Sequence, residues 1–184
     1  MRIAFISDIH GNCDALESIV SSQEFIKCDQ RIFCGDMYGY FHSKIKILDV
    51  LKDNCTHMIR GNHDDYLIKL SENKFGTKFY EKYGHAHELA LNNLSPEDLS
   101  FIRSLPISTE LSIEDMNISI SHGMPHSNEV YFYEDFQNWQ MEMLINDKFD
   151  IYIMGHTHHQ LQLKKAEKII VNPGSVGQPR SGKK

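Results

Sequence analysis

Residues 2–20 read "RIAFISDIHGNCDALESIV", and three kinds of backbone follow one another within them. "RIAFIS" is rich in β-formers, "DIHGN" is a tight polar turn, and "CDALESIV" brings Leu16, Ile19 and Val20 round at helical spacing. A strand, a turn and a helix in that order make half of a βα crossover unit. The pattern returns as "RIFCGD" (31–36) before "SKIKILDVLKDN" (43–54), and again as "THMIRGNHD" (56–64) before "DYLIKLSEN" (65–73). Consecutive βα units imply a sheet that is at least partly parallel.

The stretch 75–106 reads as helical, with its clearest signal in "SPEDLSFIRSLP" (95–106). Ser95 is a good N-cap, Pro96 suits the first helical position, and Leu99, Ile102 and Leu105 form an apolar stripe. From Ile107 the character changes to a hairpin, "ISTELSI" and "NISISHG" about a turn at 114–117. A helix over 134–147, a strand in "IYIMGHTHHQ" (151–160), paired strands in "LQLKKAEKIIV" (161–171) and the turn-rich "NPGSVGQPRSGKK" (172–184) complete the chain. No repeat or linker interrupts it, so one domain over 1–184 is expected, with the last few residues disordered.

The 184 residues are 41% hydrophobic and 24% charged, and the formal net charge is -6. That balance excludes a surface built to track long nucleic acids, because displacing counterions from phosphates takes a basic face. A site for one phosphate group remains open. Four cysteines without CxxC spacing, in a chain too long to need stapling, imply reduced thiols. The short apolar run at the N-terminus is not a signal peptide and no segment is long enough to span a bilayer, so a cytoplasmic setting is expected.

Five apolar runs end alike. "FISDIHGN", "IFCGD", "MIRGNHD", "ISISHG" and "IYIMGHTH" each place Asp, Asn or His at the strand's carboxyl end with glycine nearby. In layered α/β proteins that edge binds ligands, since loops converge there over a rigid sheet. The residues collected are Asp8, His10, Asp36, Asn62, His63, His122, His156 and His158, a set of carboxylate, amide and imidazole donors suited to divalent transition metals. Eight donors exceed the needs of one tetrahedral ion, and two ions sharing a carboxylate is the economical arrangement.

The series DIH, GD, GNHD, SHG and GHTH, closing on "NPGSVGQPR", resembles the calcineurin-like metallophosphoesterases, and within them the compact YfcE-like phosphodiesterase branch. The resemblance spans residues 8–180 and implies a four-layer αββα sandwich, an α/β fold of two mixed sheets flanked by helices, with no separate cap domain. It implies Asp8, His10, Asp36 and His158 around one metal, and Asn62, His122, His156 and the bridging Asp36 around a second. Manganese is expected, with iron, zinc, nickel or cobalt as alternatives. His63 would stand outside the metals, contact the substrate phosphate and protonate the leaving oxygen.

Phosphate-ester hydrolysis needs a nucleophile, charge neutralisation and a proton donor. A hydroxide bridging two cations meets the first need, because metal binding brings the pKa of water from about 16 towards ~7. His63, with an ordinary imidazole pKa near ~6.5, meets the last. Two divalent ions contribute about +4, Asp8 and Asp36 bring this to about +2 and a hydroxide to about +1, so a diester monoanion neutralises the site and a monoester dianion overshoots to about -1. A small, nucleotide-type phosphodiester is therefore the expected substrate. A protein phosphatase, a dinucleoside polyphosphate hydrolase and a non-catalytic scaffold like the retromer subunit of this fold are the alternatives.

Serine/threonine phosphatases carry GDYVDRG, whose second aspartate supports the catalytic histidine and whose arginine grips phosphate. This chain has "GDMYGYF", with Gly39 and Tyr40 at those positions, which weakens the protein-phosphatase reading. Tyr38 and Tyr40 are candidates for contact with a nucleoside or aryl group, and Arg60 or Arg180 for reaching phosphate from elsewhere. His85 and His87 are expected on a helix surface, and Asp64 and Asp65 either orient His63 or favour the start of the next helix.

Overall fold

Each apolar run expected as a strand forms one, and period-two alternation sends its side chains to two different cores. The computed structural model describes residues 1–42 and 46–180. In it β1 (Ile3–Ile6), β2 (Gln30–Cys34) and β3 (His57–Ile59) make a parallel sheet in the order β1-β2-β3. Parallel neighbours require crossovers, and these carry α1 (Cys13–Val20), α2 (Gln23–Ile26) and α3 (Ile47–Asn54). The start expected for the third of these helices, at 43–45, lies outside the described residues, as do the last four positions expected to be disordered.

The second sheet runs in the order β4-β5-β6-β8-β7, from β4 (Ser108–Ile113), β5 (Met116–Ser121), β6 (Ile151–Met154), β7 (Gln160–Lys165) and β8 (Lys168–Pro173). It is mixed: β4–β5 and β7–β8 are antiparallel hairpins, while β5–β6 and β6–β8 are parallel. Both sheets were expected to be mixed; the first is parallel throughout because a helix follows each of its strands.

On β2, Ile32 and Cys34 face the second sheet and pack with Ile59, Ile118, Ile120 and Ile153. Phe33, between them, faces the other way onto Leu16, Leu48 and Leu51 of α1 and α3. The same outer face is covered by Leu67 of α4 (Asn62–Ser71) and Ile102 of α7 (Pro96–Ser104). On β6, Ile153 points inward, whereas Tyr152 and Met154 meet Met141 and Leu144 of α8 (Asn138–Ile145). Helices, sheet, sheet and helix are stacked in four layers. A one-residue slip of β2 would exchange both faces, so its register is held by burial on both sides.

The helical stretch after Phe75 is divided into α5 (Thr77–Tyr83), α6 (Ala86–Leu91) and α7. Gly84, at φ 63°, separates the first two. Helix α7 starts as its sequence predicts: Ser95 Oγ accepts from Asp98 N at 3.2 Å, and Asp98 Oδ2 accepts from Ser95 N at 2.9 Å. Helix α8 is shorter than the 134–147 expected, because the segment before it, which begins with Tyr131 stacked on His156 at the end of β6, stays outside the helix. No helix among the described residues is long and apolar enough to cross a membrane.

Candidate metal centre

All eight residues singled out at strand ends converge at one edge of the two sheets, and all are buried. Asp8 and His10 follow β1, Asp36 follows β2, His122 follows β5, and His156 and His158 follow β6. Asn62 and His63 occupy the first turn of α4, three residues earlier than the helix read from the sequence. Five of the eight lie in the left-handed region: Asp8 at φ 56°, His10 at 51°, Asp36 at 64°, His156 at 68° and His158 at 62°. Such backbone costs on the order of 1–3 kcal/mol per residue and persists only where the surroundings impose it.

The surroundings do impose it. Beyond the end of the sheet the first two loops stay zipped together through Asp8 N to Gly35 O at 3.0 Å, His10 N to Asp36 O at 3.0 Å and Gly11 N to Met37 O at 2.9 Å. The "NPGSVGQPR" segment clamps the first loop from the other side: Val176 N donates to Ser7 O, Gly177 N to Asp8 O, and Ser175 Oγ to Asp8 O at 2.7 Å. Gly177 has to be glycine there, since a Cβ would collide with Ile9 O. Asp64 ties the second loop to α4, its carboxylate accepting from Asp36 N, Met37 N and Gly61 N at 2.9–3.0 Å. Of the two roles read for Asp64, this is the helix-start one.

Ligand-type atoms of Asp8, His10 and His158 lie within 4.8 Å of one another, as do those of Asp36, His122 and His156. Three imidazoles are aimed by backbone carbonyls: His122 Nδ1 donates to Cys34 O at 2.9 Å, His158 Nδ1 to Gln178 O at 2.9 Å and His156 Nε2 to Glu129 O at 3.2 Å. A histidine that spends one N–H on a carbonyl presents its other nitrogen as a lone pair, the usual outer support of a metal ligand.

The metal-free balance of this cluster is awkward in the way a cation would relieve. Burial alone would raise Asp8 and Asp36, yet the surrounding histidines hold both well below the usual carboxylate range. Burial opposes a charge on His122, but Asp36, 3.1 Å from its Nε2, and Asp8 push it up to about 10, so a proton stands where positive charge is needed. Asp8 Oδ1 and His10 Nδ1 are buried without a hydrogen-bond partner. Oxygen and nitrogen donors, deep burial, oriented lone pairs and excess negative charge together fit divalent cations.

The family model described as the calcineurin-like phosphoesterase superfamily domain matches residues 1–184. The chain belongs to this superfamily. Among its relatives, the uncharacterised protein MJ0912 of Methanocaldococcus jannaschii is 30% identical over 203 residues, which cover 98% of this chain and 78% of that one. A metallophosphoesterase from Sphaerobacter thermophilus is 25% identical with a TM-score of 0.75, covering 100% of this chain and 80% of its own. Yfce, a phosphoesterase from E. coli, shares the fold at a TM-score of 0.56 and 19% identity, over 100% of this chain and 84% of that one.

In this calcineurin-like phosphoesterase, His63 lies beside the two clusters rather than between them. Its backbone N donates to Asp36 Oδ1 at 2.8 Å, and its ring centroid is 4.7 Å from that of His10. Burial drives its imidazole down to about 3, with Asp36 opposing, so the near-ordinary value expected from sequence does not hold in the folded protein. A bound phosphate would pull it back up, because an anion within ~4–6 Å favours imidazolium.

A cavity of about 400 Å³ opens over Asn62, His63 and His156 and is walled by Tyr40, Tyr66, Tyr83 and Tyr131. Tyr40 thus stands where a substrate contact was expected, 5.0 Å from His63 between ring centroids. Tyr38 does not: it is 5% exposed and its hydroxyl accepts from Leu48 N at 3.2 Å, making it a core residue. Arg60 does not either, because Asp65 at 2.7 Å and the carbonyls of Arg103 and Leu105 occupy its guanidinium. The cations on the rim are Arg180, considered from sequence, and Lys82, which was not.

Tyr131 was also missed, and stacks on His156 at 3.9 Å with an interplanar angle of 14°. Its only signal is the aromatic run "YFY" (131–133). His85 is exposed as expected, but His87 is fully buried, not at the surface. Gly39 packs against the rings themselves: a Cβ there would clash with His10 Nδ1 and stand 2.9 Å from His63 Nδ1. Gly39→Ala is expected to displace one of the two rings, at an overpacking cost of about 1–3 kcal/mol, and to lower kcat at least ~10-fold. Gly76→Ala, where an added Cβ meets nothing within 4 Å, is the matched control in thermal unfolding and turnover assays.

Proposed function

We infer that this phosphoesterase hydrolyses small, nucleotide-type phosphodiesters. Asp8, His10, Asp36 and His158 would hold one divalent cation and Asp36, Asn62, His122 and His156 a second, with Asp36 common to both. When bound, such cations supply a nucleophile from water at neutral pH and offset the charge of the phosphoryl oxygens. Manganese is the proposed occupant; iron, zinc, nickel and cobalt suit the same thiolate-free donor set. The observation that carries the reading is the pair of buried donor groups, Asp8–His10–His158 and Asp36–His122–His156, beside a cavity that His63 enters.

The chain's own residues divide the remaining work. His63 faces the phosphate and protonates the departing oxygen, a role typically worth 10²–10⁴-fold. Tyr40, Tyr83 and Tyr131 give flat apolar walls on which a base or aryl group can stack. Among the residues lining the cavity the permanent cations are Lys82 and Arg180, both solvent-exposed, so apart from His63, whose proton is given up to the departing oxygen, no buried positive side chain among the described residues is positioned to take the second charge of a monoester.

One uncompensated unit charge at ~8 Å and an effective dielectric of ~20 is worth about 2 kcal/mol, on the order of 30-fold in kcat/KM. The expected outcome, with metal content measured on the same preparation, is a preference of that size for a bis-aryl phosphodiester over the monoester bearing the same leaving group. A monoester preference would overturn the diester reading.

A further inference from the structure

The mechanism above asks His63 to present one nitrogen to the substrate and leaves its other nitrogen unaccounted for. The loop after β2 cannot supply a partner, because Gly39 already closes against His63 Nδ1 with no room for even a methyl group. The partner comes instead from α6, a helix remote in sequence: His87 Nε2 lies 3.1 Å from His63 Nδ1, and the two rings stack at 5.1 Å and 19°. His87 has no exposed surface, and its other nitrogen, Nδ1, is buried with no hydrogen-bond partner. The contact is therefore a closed two-member unit and not one link in a proton wire to solvent.

We propose that His87 is a positioning residue for His63, holding its Nδ1 so that Nε2 is the nitrogen turned to the leaving group. This rests on His63 acting as the acid of the phosphodiesterase reading. In the reacting state His63 carries protons on both nitrogens, and the Nδ1 proton is donated to His87 Nε2. As an oxygen from water bonds to phosphorus and the P–O bond to the leaving group breaks, that bond's electron pair passes to the leaving oxygen, which takes the Nε2 proton. His63 is left neutral with its Nδ1–H still held by His87, so no proton has to cross the contact between the two rings. The face that holds His87 in place is built by its helix and by neighbouring rings: Ala86 and Ala90 are buried alongside it, and Phe79 lies 5.2 Å from its ring. A neutral imidazole can accept there without adding the negative charge a carboxylate would bring next to Asp36.

Three proteins test this: the wild type, His87→Leu, and His87→Gln, whose amide oxygen can still accept from Nδ1–H. On an alkyl diester with a poor leaving group, His87→Leu should lose about 10–100-fold in kcat with KM unchanged, while on a nitrophenyl diester the loss should stay within about 3-fold. His87→Gln should recover most of the alkyl-diester rate. An equal loss on both substrates, no loss on the alkyl diester, or no recovery in a His87→Gln protein that melts like the wild type would each overturn the proposal. Histidine ring ¹⁵N spectra of the metal-free proteins supply a readout independent of turnover, with His63→Ala identifying the His63 signals. The Nδ1 signal should move in His87→Leu, and an unmoved signal would overturn the contact. Absence of diester turnover by the wild type would instead sink the proposed function, while the spectra still decide the pairing.

Discussion

Asp36→Asn should abolish diester hydrolysis and strip metal from the protein, with kcat/KM falling by on the order of 10³-fold or more, since the several kcal/mol of cation stabilisation is removed. The substitution keeps the shape of the side chain and removes its charge. Asp36 Oδ2 lies 3.1 Å from His122 Nε2 and 3.7 Å from His10 Nε2, and its Oδ1 accepts from His63 N at 2.8 Å. Among the described residues it is the one carboxylate placed against both donor groups and His63, so its charge is needed by all three. Metal analysis after dialysis and turnover with added manganese check the expectation. A variant that retained two equivalents of metal and wild-type rate would remove Asp36 from its bridging role.

His63→Ala should behave differently: full metal content, with kcat reduced by about 10²–10⁴-fold on esters of poor leaving groups and much less on nitrophenyl esters. The separation is expected because His63 meets the cluster through its backbone N and the edge of its ring rather than as one of the supported ligands; among the described residues no carbonyl aims it as Cys34, Glu129 and Gln178 aim His122, His156 and His158. His63 does lie near enough to His10 and Asp36 to complete a third donor group. Loss of one metal equivalent in His63→Ala would mean that it serves as a ligand, and unchanged rates on alkyl diesters would exclude the acid role.

The strands and the helices around the first sheet were legible because period-two and helical spacing are local properties. Leu16, Ile19 and Val20 mark α1 without reference to anything else in the chain, and Ser95 with Asp98 marks the start of α7. The ligand candidates were legible for a related reason. A left-handed residue at a strand end and the glycine beside it are written next to one another, as in "SDIHG" and "MGHTH", and five such ends in one chain have few alternatives to a common edge.

What local pattern could not show is which polar side chains reach that edge from elsewhere. His87 looked like a surface residue because the rings packed around it, His63, Tyr66, Phe79 and Tyr83, lie on other elements. Tyr38 and Arg60 looked available because their partners, Leu48 N for one and the carbonyls of Arg103 and Leu105 for the other, become adjacent only on folding. Tyr131 reaches His156 only because the chain before α8 stays out of the helix. Sequence alone determined the strands, the βα units and the chemical type of the centre, since these depend on residues a few positions apart, and the αββα layering followed from the family resemblance those motifs carry. Tertiary structure alone decided the cavity wall and the partner of His63, since those contacts join residues far apart in the chain, whose meeting is set by the packing of helices on sheets.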